Sequence, residues 1–291
     1  MIDDFFLHQP DSLPGALALL AEHPDEARVL AGGSELILLL KMRLVASRHL
    51  VNIKKIPGLG DLRYDAESRA LSVGALVTHR TLEQSPIVHD HFPLITAMER
   101  QLANVRIRNV GTLAGNVAFA EPHADPGTLL LAYDARVKLK SARGERTVKI
   151  GDFFVDYYQT ALGPDELVTE IEIPAPPVNS TGAYLRFCPG ERPMAGAAVI
   201  LQWRNGACAD ARLVLGCVAP TPLRPIDVEG ALAGKSRDDI RAAAENLGAG
   251  AASMTQPLED IWGTVEYKRQ IVKTLVARAL VQASQESAAH G

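Results

Sequence analysis

Three cysteines in 291 residues are too few for most thiol chemistry, and Cys188, Cys208 and Cys217 stand far apart with no CxxC pair. A disulfide framework, a zinc-thiolate site and four-thiolate iron-sulfur ligation within the chain are thereby excluded. Cys208 and Cys217, in the apolar segment CADARLVLGCV, are expected to pack in the core on a strand. Aromatic residues make up only 5% and the formal net charge is −4 with no long basic stripe, which argues against a nucleic-acid groove with stacking platforms. No apolar run reaches the roughly 18 residues of a membrane span. The opening MIDDFFLHQP lacks the cationic stretch of a secretion signal, so the expectation is a cytoplasmic protein without a membrane span. The Gly-Lys-Ser/Thr of a P-loop and the GxGxxG dinucleotide fingerprint are also missing. A lone GxG at Gly248 and Gly250 follows an alanine-rich helical stretch and reads as a helix C-terminus.

What the chain does have is two glycine-punctuated turns. Residues 104–125, NVRIRNVGTLAGNVAFAEPHAD, combine Arg106 and Arg108 with Gly111 and Gly115, which permit close backbone approach, and with the short polar side chains of Thr112 and Asn116. Two readings fit this stretch: a phosphate-facing turn, or a buried connection in which Gly and Ala permit close packing. Earlier in the chain, a short strand at residues 28–31 runs into Gly32-Gly33-Ser34-Glu35 and a helix through Leu38 and Met42. Ser34 is the expected N-cap, and the free N–H groups of that helix start form an anion site. A double glycine between strand and helix also serves as a plain tight turn. Glu35 sits awkwardly beside an anion, so its carboxylate must point away or bond a sugar or ring group.

Around these turns the pattern predicts an α+β N-terminal region and a smaller α+β C-terminal domain. Helices are expected from residue 13 or 14 to 23, after Thr78 and over 93–103. Strands are expected at 49–53, 62–64 with 70–74, 136–140 with 146–150, and 166–173. Asp125 is placed as the N-cap of the apolar helix TLLLAY. The run PAPPVNSTG, residues 174–182, is the clearest linker. Strands at 183–187, 197–203 and 209–218 and helices at 237–247 and 264–284 follow it. His89 and His91 form an HxH on a polar turn, read as solvated in preference to metal-binding. His123 is read either as a surface residue or as a neighbour of the second turn's ligand.

AGGSELILLLKMRL at residues 31–44, IRNVGTLAGNVAFAEPHADPGTLLLAYDA at 107–135 and IWGTVEYKRQIVKTLVARAL at 261–280 occur in one order over nearly the full length. In this the chain resembles the FAD-binding medium subunit of the molybdenum hydroxylases, of carbon monoxide dehydrogenase and xanthine dehydrogenase type. The resemblance implies a two-subdomain FAD-binding fold of the vanillyl-alcohol-oxidase type over residues 1–175, divided at about residue 55, followed by the smaller α+β domain over 180–286. It assigns the FAD pyrophosphate to Ala31, Gly32, Gly33, Ser34 and Glu35 and to Gly111, Thr112, Ala114, Gly115 and Asn116. Ala103 and Ile107 fall at further cofactor contacts, Asp125 at an acid commonly on the adenosine side, and Val168 at an aliphatic position near the adenine.

The implied partners are a small subunit with two 2Fe-2S clusters and a large subunit with the molybdenum cofactor, arranged as a dimer of heterotrimers. Electrons would reach FAD here and leave to NAD, oxygen or another acceptor, so no acid/base catalyst is assigned. Two departures stand out: Cys188 replaces a frequent lysine, and Ala114 replaces a frequent glycine. With that lysine gone, Arg186 and Arg192 are the candidates for a cation near the flavin ring. Two other readings remain open, a self-sufficient FAD oxidoreductase of the UDP-N-acetylenolpyruvoylglucosamine reductase type and a structural subunit that has lost FAD.

Overall fold

Alternating short strands and helices at the start of the chain produce a parallel sheet, because a crossover helix returns each strand in the same direction. In the computed structural model, which describes residues 4–285, β1 (Phe6–His8), β2 (Ala27–Leu30) and β3 (His49–Asn52) pair in parallel in the order β1-β3-β2. Residues 1–3 of the acidic opening stretch and the expected boundary at residue 286 lie outside the described residues. Helix α1 (Leu13–Glu22) starts after Ser12 with proline in its first turn and buries Ala16, Leu17 and Leu20. Helix α2 (Ser34–Lys41) follows β2, and its N-cap is Gly33 at φ +85°. The expected Ser34 cap is therefore corrected: the left-handed turn needs glycine one residue earlier, and Ser34 becomes the first helical residue.

The next segment builds a five-stranded antiparallel sheet in the order β4-β5-β10-β6-β7. Strands β4 (Leu62–Asp65) and β5 (Ala70–Gly74) form the expected hairpin. A helical run then intervenes: α3 (His79–Gln84), α4 (Pro86–His91), α5 (Pro93–Gln101), α6 (Val105–Val110), α7 (Leu113–Phe119) and α8 (Asp125–Ala132). Hairpin β6 (Arg136–Ser141) and β7 (Gly144–Lys149) follows. After it come α9 (Ile150–Phe153), the small pair β8 (Phe154–Asp156) and β9 (Gln159–Thr160), and β10 (Leu167–Pro174). The period-2 pattern of β10 sends Ile171 and Ile173 into the core. On its other face Glu170 and Glu172 pair with Lys138 at 2.6 Å and Arg136 at 2.9 Å. His89 and His91 lie in the last turn of α4, not on a turn. Asp125 opens α8 as its first residue, with Ala124 as N-cap and no side-chain cap bond.

Only residues 175–179 separate β10 from β11 (Ser180–Phe187), so the proline-rich run expected as a linker is cut to five residues, its two ends being taken up by strands. With β12 (Ala195–Arg204) and β13 (Ala207–Gly216), β11 forms an antiparallel meander, followed by α10 (Ile226–Leu232), α11 (Arg237–Ser253) and α12 (Val265–Ala283). Cys208 is buried in β13, and Cys217 is buried just beyond it. Gly248 and Gly250 lie inside α11 and do not end it. A Cβ on Gly248 would stand 2.4 Å from the Lys273 carbonyl of α12, so this glycine permits close approach of two helices.

Strand β12 is buried on both faces, and the faces belong to different cores. Ala198 and Ile200, with Tyr184 and Val214, join the core of the five-stranded sheet. Ala197, Val199 and Leu201, with Leu213 and Leu215, join the core under α11 and α12. Burial on both sides accounts for the near-continuous apolar run from residue 195 to 201.

Candidate functional site

The two glycine turns meet. A Cβ on Gly32 would lie 2.3 Å from the Val110 carbonyl oxygen and 2.9 Å from Gly111 Cα, and a Cβ on Gly111 would lie 3.3 Å from Ser34 Oγ. These glycines therefore serve first to let one turn's backbone pack on the other's, more than to open either to a ligand. Ala31, Gly32, Gly33, Ser34 and Glu35 are all half-buried on this junction. The first intrahelical bond of α2 is from Ile37 N–H to the Gly33 carbonyl, so the N–H groups ahead of it start the helix as free donors. Ser34 Oγ is buried there without a hydrogen-bond partner.

The second turn is held from several sides. Asn104 caps α6 through Arg106 N–H and Ile107 N–H. Thr112 caps α7, its Oγ1 accepting Gly115 N–H at 3.0 Å. His79 N–H donates to the Gly111 carbonyl at 3.0 Å, and Leu113 N–H to the Val77 carbonyl at 3.2 Å. Behind Gly111 the buried His79 ring sits 3.0 Å from the buried Glu99 carboxylate; burial pushes the Glu99 carboxyl up from its ordinary pKa, against the pull of His79. Arg108 is a brace: it donates to Glu83 at 2.9 Å, to the Leu102 carbonyl at 2.8 Å and to the Ala103 carbonyl at 3.2 Å. Arg106 is exposed.

The other expected residues fall in two groups. Ala114 is buried, Gly115 is exposed and Asn116 half-buried in the first turns of α7. Ala103 is exposed at φ +43°, and Ile107 lies between the exposed Val105 and Val110 on a half-open apolar edge. Asp125 and Val168 are inside. Val168 belongs to the core that also contains Ala114 of α7. Asp125 takes Tyr184 Oη on one carboxylate oxygen and Arg186 Nη1 on the other. Burial pushes its carboxyl up while Arg186 and Tyr184 pull it back.

A third segment, the β11–β12 connection, reaches the junction. Arg192 donates through Nη2 to Glu35 Oε1 at 3.3 Å and pairs through Nη1 with Glu121 Oε2. Tyr158 Oη donates to the same Glu121 oxygen at 3.0 Å, and His123 Nδ1 lies 3.4 Å from Glu121 Oε1. The awkward Glu35 carboxylate thus has its cation in Arg192, outside both turns. Neither arginine considered for the flavin ring is a free cation, because Arg186 is neutralised by Asp125 and Arg192 by two glutamates. Cys188 donates to the Gly190 carbonyl at 3.1 Å. Sequence reasoning missed these pairings because the partners stand 157 residues apart for Glu35 and Arg192 and carry no local pattern.

Free helix N–H groups, an unbonded buried hydroxyl and a capped second helix start, converging where two backbones touch, suit a dianionic diphosphate. The donor set therefore fits FAD. Comparison with known proteins agrees. Residues 3–176 match the family model described as FAD binding domain in molybdopterin dehydrogenase, and residues 190–283 match the CO dehydrogenase flavoprotein C-terminal domain. The chain is 33% identical to the carbon monoxide dehydrogenase medium chain of Hydrogenophaga pseudoflava, covering 95% of this chain and 96% of the relative. It is 34% identical to the nicotine 6-hydroxylase medium subunit of Paenarthrobacter nicotinovorans, covering 94% and 95%. Among solved structures, reconstituted CO dehydrogenase from Oligotropha carboxidovorans superposes with a TM-score of 0.93 at 32% identity, covering 99% of this chain and all of that one. The chain belongs to the family of FAD-binding medium subunits of the molybdenum hydroxylases, oxidoreductases of the carbon monoxide dehydrogenase and xanthine dehydrogenase type.

Proposed function

We propose that this chain is the electron-transferring flavoprotein of a three-subunit molybdenum hydroxylase, holding the FAD diphosphate between residues 31–35 and 111–116. The observation that carries the reading is the backbone contact between the two turns, with Ser34 Oγ buried and unbonded beside it. Ser34 Oγ, the first N–H groups of α2 and the start of α7 with Gly115 and Asn116 would hold the diphosphate. Ala103 and Ile107 would border the cofactor, while Asp125 and Val168 would support it from within. FAD, when bound, would supply the redox chemistry that links 2Fe-2S clusters of a small subunit to an external acceptor.

The division into 1–175, with subdomains meeting near residue 55, and 180–286 belongs to the same reading, as do a dimer of heterotrimers with a large molybdenum-cofactor subunit and a cytoplasmic location. No helix among the described residues is long and apolar enough to cross a membrane. The test is purification of the native complex with flavin, iron and molybdenum analysis. One flavin per copy of this chain, with iron and molybdenum confined to its partners, is the expected result. A colourless chain that takes up no FAD on reconstitution contradicts the reading, and turnover of a small substrate by the isolated chain favours the self-sufficient reductase.

A further inference from the structure

Glu35 places a carboxylate in the first turn of α2, where a diphosphate would be repelled by it. Glu121, at the far end of α7, adds a second carboxylate whose side chain is 7% exposed. Arg192 spans the two, and it comes from the connection between β11 and β12, outside both glycine turns. Glu121 also accepts from Tyr158 on the oxygen that Arg192 meets, and His123 lies beside its other oxygen. Arg192 is thus the cation shared by both acids at the mouth of the junction, one positive charge set against two negative ones.

We propose that Arg192 is a positioning residue for the cofactor: by drawing the Glu35 carboxylate aside into an ion pair shared with Glu121, it lowers the negative charge at the α2 turn and makes that turn receptive to a diphosphate. This rests on the FAD reading above. It also makes anion binding by the first half of the chain depend on a loop of the second. Without Arg192, Glu35 is left next to the diphosphate and Glu121 is left buried without its counter-ion, so the junction carries two uncompensated negative charges.

The test is titration of FAD into the full-length, deflavinated chain, followed by flavin fluorescence, for wild type, Arg192→Gln, Glu35→Gln and the double variant. Circular dichroism melts monitor the fold. Arg192→Gln is expected to weaken FAD binding by about 10-fold at low salt, with the deficit shrinking at high salt as repulsion is screened. Glu35→Gln is expected to bind about threefold tighter than wild type, and the double variant to recover most of the loss. A purely structural anchor would not be rescued by removing a carboxylate. Arg192→Gln with wild-type affinity, a double variant no better than Arg192→Gln, or a weakened Glu35→Gln each overturns the proposal; the last of these is decisive even if Arg192→Gln does not fold. A wild-type chain that binds no FAD sinks the FAD reading itself, a separate result.

Discussion

A single methyl group tests the junction between the turns. Gly32→Ala would drive a Cβ into the Val110 carbonyl, whose place is fixed by the backbone, not by a movable side chain. Relief requires the two turns to part, at an overpacking cost of about 1–3 kcal/mol. FAD affinity is expected to fall by about 10-fold or more, read by flavin retention after gel filtration, with the far-UV spectrum unchanged. Undiminished retention would remove the turn-to-turn contact from the site. The glycines themselves were legible in the sequence, but their purpose was only half so. A glycine pair announces close approach, while what approaches it, here the carbonyl of a residue 78 positions away in sequence, depends on tertiary structure. His79 and Glu99 were illegible for the same reason: a buried hydrogen-bonded couple 20 residues apart leaves no periodic trace.

Helix starts were the most readable elements, because capping is local chemistry. Thr78 and Thr264, at starts of expected helices, accept the N–H three residues on. Thr112 does the same where no helix was expected, and Thr112→Ala is expected to cost about 1 kcal/mol of stability, measured by denaturant unfolding. Ser34 and Asp125 defeated the same rule. A left-handed glycine took over the first cap, and Tyr184 and Arg186 claimed the carboxylate of the second. Gly248 misled in the other direction, since a glycine demanded by helix–helix contact looks like a helix stop. Gly248→Ala is expected to push α12 off α11 and lower stability by about 1–3 kcal/mol, visible as a reduced Tm. The start of α12 also carries a pH signature. Lys268 is buried and donates to the Leu258 carbonyl at 2.7 Å and to Asp260 at 2.6 Å, and this bond holds the Asp260 carboxyl below its ordinary pKa. A lowered carboxyl contributes stability above the ordinary value near pH 4 and loses it as pH falls through the folded value. Asp260→Asn is therefore expected to melt below wild type at neutral pH, with the gap closing in acid. A gap that stayed constant down to about pH 3 would show that the bond is not ionic.

At the scale of the molecule, the α+β class and the order of the segments could be read from periodicity and turn residues. The way the halves join could not. The proline-rich run looked like a linker, yet β10 and β11 take both its ends and leave five residues between them, and the sheet that begins at Ser180 gives one face to each core. Thr128 of α8 sits where a side chain on Gly216 would be, its Oγ1 inside the space of an added Cβ. A fragment ending at residue 176 would thus leave α8 and the first core exposed. It is expected to aggregate or to melt without a cooperative transition in calorimetry, whereas a sharp reversible transition would mark the first half as self-sufficient. The same two-faced sheet sets a rule for recombination between relatives. A chimera joined at the proline-rich run would inherit α8 from one parent and the strands that seat it from the other, with Asp125 and its Tyr184 and Arg186 partners drawn from different ancestors. Crossovers placed ahead of α8, so that this helix travels with the sheet beneath it, are the ones that keep such hybrids foldable.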